Sequence, residues 1–81
     1  MTRQELEQNV NEFLIQKLEI KDELKPTSKL YYDLGIDSID IVEIVGIIEE
    51  KFGIIIKTPE IKAMNVLQDL YNCIEKKLYE S

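Results

Sequence analysis

The sequence predicts an all-α fold, a four-helix bundle with three longer helices, one short helix and a long loop between the first two. Three observations predict it. Apolar residues recur at helical spacing in three separate stretches. These stretches are bounded by recognisable start and stop chemistry. The one run rich in β-branched residues, Ile54-Ile55-Ile56, has no second strand with which to pair. At 81 residues the chain holds one domain, expected to span 1–81. A core of this size supports a total stability of ~3–5 kcal/mol.

The first helix is expected over about Arg3 to Leu18. Thr2-Arg3-Gln4-Glu5 fits a capping box, and Leu6, Val10, Phe13, Leu14 and Leu18 then make one apolar stripe. From Glu19 to Asp37 no long periodic pattern exists. Lys25-Pro26-Thr27-Ser28 is a turn signal, and Ile20, Leu24, Leu30, Tyr31 and Leu34 are expected to pin the loop to the helices. The adjacent Tyr31 and Tyr32 read as loop anchors rather than as a stacking site. Gly35 supplies a backbone conformation closed to other residues just before the stretch Ile36-Asp37-Ser38.

The second helix follows Ser38 and is ended by Gly53. Ile41, Ile44, Val45, Ile48 and Phe52 share its inner face; Asp40, Glu43 and Glu50 fall opposite, with Glu49 at the border. Ile39 and Ile47 land among the acids. Two exposed apolar side chains within an acidic stripe read as a docking surface, with charge for steering and apolar knobs for grip. Gly46, in mid-helix, costs roughly 1 kcal/mol relative to Ala.

Ile54-Ile55-Ile56 is assigned as an extended connector, Ile54 and Ile56 inward and Ile55 outward. Thr58 is expected to cap a short third helix with Pro59 in its first turn, ending near Ala63. Asn65 is expected to cap the last helix, whose core stripe is Leu67, Leu70, Tyr71, Ile74 and Leu78, with Cys73 at the edge of that face as filler. Lys76 and Lys77 favour its C-terminal dipole end.

Composition excludes much chemistry. The chain has no His and one Cys, so neither an internal disulfide nor a zinc site can be assembled. A net charge of −6 argues against nucleic acid and suits partners with basic patches. The N-terminus lacks a signal-peptide core, and no apolar run approaches the ~20 residues needed to span a bilayer. We expect a monomer of the cytoplasm, without membrane insertion. A serine hydrolase needs a base beside its nucleophile, and there is no His to serve Ser38. The acids Asp33, Asp37, Asp40 and Glu43 miss the calcium-loop register, since Gly35 and Ser38 fall where a ligand and a glycine are required. No catalytic residue and no metal ligand are assigned.

Ser38 admits two readings from its surroundings alone. It can be a plain N-cap, or a hydroxyl that another enzyme modifies, because a helix N-terminus holds a phosphate well.

Asp33-Leu34-Gly35-Ile36-Asp37-Ser38-Ile39-Asp40, followed by Val42-Glu43-Ile44-Val45 and Glu49-Glu50-Lys51-Phe52, resembles the acyl carrier protein family, with its D-S-L motif present as Asp37-Ser38-Ile39. The likeness continues to Val66-Leu67-Gln68-Asp69. It implies that Ser38 receives 4′-phosphopantetheine from coenzyme A through a phosphopantetheinyl transferase. The arm's thiol would then carry acyl groups as thioesters for fatty-acid or related biosynthesis. It implies a partner face of Asp37, Ile39, Asp40, Glu43, Ile47, Glu49 and Glu50, read by basic docking patches on acyl-processing enzymes. It also implies an acyl pocket bordered by Ile41, Ile56, Ile61 and Met64. Ile41 and Ile61 stand where the family tends to have smaller or polar residues, and Gly46 where a large one is common. A narrowed pocket favours short, branched or aminoacyl-type cargo. The alternatives are an aminoacyl or polyketide carrier and, in another class, a small acidic interaction module with Ser38 as an ordinary cap.

Overall fold

A computed structural model describes residues 1–80. Its helices are α1 (Arg3–Leu18), α2 (Ser38–Phe52), α3 (Thr58–Lys62) and α4 (Leu67–Glu80). One apolar core joins them: Leu6, Val10 and Leu14 from α1, Ile41, Ile44, Val45 and Ile48 from α2, and Leu67, Leu70, Tyr71 and Ile74 from α4. Leu30, Ile36, Ile54, Ile56 and Met64 fill it from the connections.

The capping box at α1 forms as expected. Thr2 accepts the amide of Glu5, and the Glu5 carboxylate accepts the amide of Thr2. α1 runs antiparallel to α4: Tyr79 reaches the carbonyl of Met1, Arg3 bonds Asn72 and Glu75, and Tyr71 donates to Asn11. α2 ends at Gly53 with φ 66°, a left-handed conformation in which a side chain would be strained.

The connector 54–57 takes the expected alternation, Ile54 and Ile56 buried and Ile55 71% exposed. It finds its hydrogen bonds without a strand. The amide of Ile54 donates to the carbonyl of Glu49, and that of Ile56 to the Glu49 carboxylate at 2.9 Å.

Two helix starts differ from expectation. Thr58 is the first residue of α3, and Lys57 takes the cap position, its amide bonded to the Glu60 carboxylate at 3.0 Å. Asn65 does not cap α4. Instead the Asp69 carboxylate reaches back to the amides of Asn65 and Val66, at 2.8 and 3.1 Å. In both cases an acid in the first turn does the work that the preceding polar side chain was expected to do.

The long loop is fastened to the start of α4. Leu67 and Gln68 donate to the carbonyls of Ser28 and Pro26, both at 2.9 Å; Leu30 donates to Asn65 at 3.0 Å, and Lys29 pairs with Val66 in a single antiparallel bridge. Leu30 is fully buried, and Ile20, Leu24 and Leu34 pack against the core. Tyr31 does not pin the loop as expected: it is 43% exposed, and Tyr32 is 88% exposed. The turn that follows Lys29, closed by bonds from Asp33 and Leu34 back to the Lys29 carbonyl, turns both rings outward.

Candidate functional site

The site is the entrance of α2. Gly35, with φ 68°, reverses the chain after the loop, and Ile36 anchors it in the core. Asp37, extended in backbone, is the N-cap. One of its carboxylate oxygens accepts the amides of Ile39 and Asp40 at 2.9 and 2.7 Å, and Asp40 returns a bond to the amide of Asp37 at 3.3 Å. Ser38 is therefore not the cap but the first helical residue. It is exposed, and among the described residues neither its hydroxyl nor its amide enters a hydrogen bond. The plain-cap reading of Ser38 is removed, because Asp37 already occupies that role.

Those free groups fit a phosphodiester. The amide and the positive dipole end of α2 stabilise negative charge at the Ser38 oxygen. The exposed Asp37 carboxylate repels an anion there only weakly, since solvent and salt screen it.

Around Ser38, Asp37, Glu43 and Glu50 are exposed, and Asp40 and Glu49 are half-buried. Besides the cap bonds of Asp37 and Asp40, Glu43 pairs with Lys17 of α1 at 2.8 Å, and Glu49 holds the Ile56 amide. Ile39 is 70% exposed, as expected. Ile47, expected outward, is half-buried. Val42, which the sequence places on neither face, is 65% exposed. The helical wheel could not separate them, since at 100° per residue Ile47 and Val42 lie at about equal angles on either side of the buried face. The Lys17–Glu43 pair shows that α1 flanks the Ile47 side, and a flanking helix shades it.

Ile41, Ile56 and Met64 are buried and Ile61 is half-buried against the core. Met64 also floors a groove of about 300 Å³ between α3 and α4, whose walls include Ala63 and Cys73. Gly46 is exposed, and a Cβ built there meets nothing within 4 Å, so no packing inside the molecule requires glycine. Among the described residues, no group of acids or cysteine is arranged to hold a metal ion, and no helix is long and apolar enough to cross a membrane.

A small helical bundle with an unused hydroxyl at the mouth of an acidic helix suits a carrier that is modified by, and delivered to, other proteins. Comparison with known proteins agrees. The phosphopantetheine attachment site family matches residues 10–74. An acyl carrier protein of Campylobacter concisus is 37% identical over 70 residues, covering 85% of this chain and 91% of that one. Another, from Chlorobium phaeobacteroides, is 32% identical over 78 residues, covering 95% and 100%. The crystal structure of an acyl carrier protein from Thermotoga maritima superposes with a TM-score of 0.83 at 28% identity, over 96% of this chain and 92% of that one.

The chain belongs to the acyl carrier protein family. It is a carrier rather than an enzyme, and its prosthetic group is 4′-phosphopantetheine, on which acyl groups travel as thioesters. Its partners as a family member are phosphopantetheinyl transferases and acyl-processing enzymes.

Proposed function

We propose that Ser38 is the residue that bears the arm. The observation that carries this reading is the division of labour at α2: Asp37 caps the helix, and the exposed Ser38 hydroxyl is left without a partner among the described residues. In loading, the Ser38 oxygen forms a bond to the phosphorus of the phosphopantetheinyl group. The bond from that phosphorus to the adenosine bisphosphate half of coenzyme A breaks, and the serine proton goes to a base of the transferase. The arm contributes a terminal thiol, and this chain contributes a fixed, solvent-facing anchor at a dipole end that stabilises the phosphate.

Incubation with coenzyme A and a transferase is expected to add the mass of one phosphopantetheinyl group, with none added to Ser38→Ala. A gain that persists in Ser38→Ala refutes the assignment.

The proposal extends to the surface. Asp37, Ile39, Asp40, Glu43, Ile47, Glu49 and Glu50 form the face read by basic patches of partner enzymes, with Val42 added beside Ile39 as an apolar contact more exposed than Ile47. Steering by charge predicts that the loading rate falls as salt rises. The working unit is one carrier domain over residues 1–81, acting as a monomer in the cytoplasm. Close packing of Ile41, Ile56, Ile61 and Met64 supports short, branched or aminoacyl-type cargo rather than long chains. Melting temperatures across a series of loaded acyl lengths should level off early; a steady rise to long chains contradicts this.

A further inference from the structure

We propose that the concavity formed by Lys29, Tyr31, Tyr32, Asn65 and Val66 is a resting cradle for the pantetheine part of the arm on Ser38. The inference rests on the assignment of Ser38 above. The concavity encloses about 290 Å³ and is more apolar than polar. Its two phenol rings are adjacent and open, 43% and 88% exposed, and the Lys29 ammonium lies 6.0 Å from the centre of the Tyr32 ring. Aromatic rings are large apolar groups, and one left almost wholly in water forfeits its burial unless something covers it.

The backbone turn that carries the rings is held. Lys29 bridges Val66, Leu30 donates to Asn65 at 3.0 Å, and the Lys29 amide donates to the Asp33 carboxylate at 2.7 Å. A hydrogen bond carries this turn to the anchor: the amide of Ile36 donates to the carbonyl of Leu30 at 3.2 Å. Tyr31 directly follows Leu30, and Ser38 is two residues beyond Ile36. By chain geometry the Tyr31 backbone then lies within about 15 Å of Ser38, while the extended arm spans roughly 15–20 Å by standard bond lengths.

The chemistry matches along that path. The arm begins with a phosphodiester, and Lys29 gives the concavity a cation of the opposite sign. It continues through a pair of methyl groups, suited to Val66 and a phenol face. Its amides can lie flat on the second ring or bond to the Asn65 side chain. A neutral, half-apolar chain fits this lining better than it fits the acidic face of α2. A thiol parked there is partly covered between encounters with partners.

The test compares ¹⁵N-labelled protein before and after loading by coenzyme A and a transferase, with intact mass and peptide mapping to establish loading at Ser38. Expected are amide shifts at Lys29, Tyr31, Tyr32, Asn65 and Val66, and proton contacts between the pantoyl methyls and the tyrosine rings. The double variant Tyr31→Ala/Tyr32→Ala should load equally, keep its melting temperature and lose the loading shifts at Lys29, Asn65 and Val66. Full loading at Ser38 with shifts confined to residues 36–41 and no ring contacts overturns the cradle alone. Loading shifts at Lys29, Asn65 and Val66 that persist unchanged in the double variant do the same. Loading elsewhere, or none, overturns the Ser38 assignment and the cradle with it.

Discussion

Thr2 and Ser38 are two hydroxyls at the mouths of two long helices, and they meet opposite fates. Thr2 sits in the cap position. Its oxygen accepts the Glu5 amide at 3.2 Å and donates to the Glu5 carboxylate at 3.0 Å, so both its hydrogen-bonding roles are filled. Ser38 stands one residue further in, because Asp37 has taken the cap and both amides that a cap satisfies. A shift of one position separates a structural hydroxyl from an available one. For a serine to be modified from outside at a helix mouth, another side chain must close the helix.

The sharpest way to break this comparison is at Ser38 itself. Ser38→Ala should abolish loading while moving stability by less than about 0.5 kcal/mol, because the hydroxyl holds nothing in the fold. Mass spectrometry reads the first and urea unfolding the second. A marked loss of stability would mean that the hydroxyl is structurally engaged after all.

Asp37→Ala should have the next largest effect. Loss of both cap bonds is expected to lower stability by ~1–2 kcal/mol, a large part of what so small a core supplies. It should also slow loading, since Ser38 is then the nearest side chain able to cap the helix. Asp37→Asn, an equally good cap, should restore most of both. If loading stays fast in Asp37→Ala, the freedom of Ser38 does not depend on its neighbour.

The two helix mouths also show how far the sequence could be read. The bounds of α1 and α2, the positive φ of Gly35 and the inward faces of Ile54 and Ile56 follow from local pattern, and local pattern is what sequence displays. The misplaced features depend on what lies beside an element. Ile47 and Val42 are near mirror images on the wheel, and only α1, tied by Lys17 to Glu43, distinguishes them. The start of α4 reads as capped by Asn65 until the loop carbonyls of Pro26 and Ser28 and the Asp69 carboxylate are seen to take its amides. Tyr31 looked like an anchor because it is apolar and beside Leu30; the turn after Lys29 faces it outward. At the site, Asp37-Ser38 was legible as a pair, but which of the two caps was a question of geometry.

A third hydroxyl extends the comparison into the core. Tyr71 is 2% exposed and donates to Asn11; burial, and then the Glu7 carboxylate, push its pKa up from 10 to about 12. The folded state thus keeps its proton where the unfolded chain loses it. The stability linked to Tyr71 is fully present below pH 10 and declines as pH rises towards about 12. Tyr71→Phe should cost ~1 kcal/mol at neutral pH through the lost hydrogen bond. It should also remove this part of the alkaline decline. The wild-type minus Tyr71→Phe difference in urea midpoint, followed from pH 8 to 12, isolates it from lysine deprotonation. A pH-independent difference would mean that the phenol is not held neutral by the fold.

Thr2→Ala completes the set with the smallest expected change, about 0.5–1 kcal/mol, because the cap it removes is an exposed one. It carries a pH signature of opposite sign. The backbone and side-chain hydrogen bonds from Thr2 hold the Glu5 carboxyl below its ordinary pKa of 4.5. That contribution is present above 4.5 and is lost as the pH falls through the lowered value. The variant keeps the backbone bond, so the stability gap between wild type and Thr2→Ala should narrow in acid by the side-chain part alone, while loading of Ser38 at neutral pH stays untouched. If Thr2→Ala slowed loading as Asp37→Ala is expected to, the two mouths would be coupled through the bundle, and the single-position argument would give way to one about the stability of the whole domain.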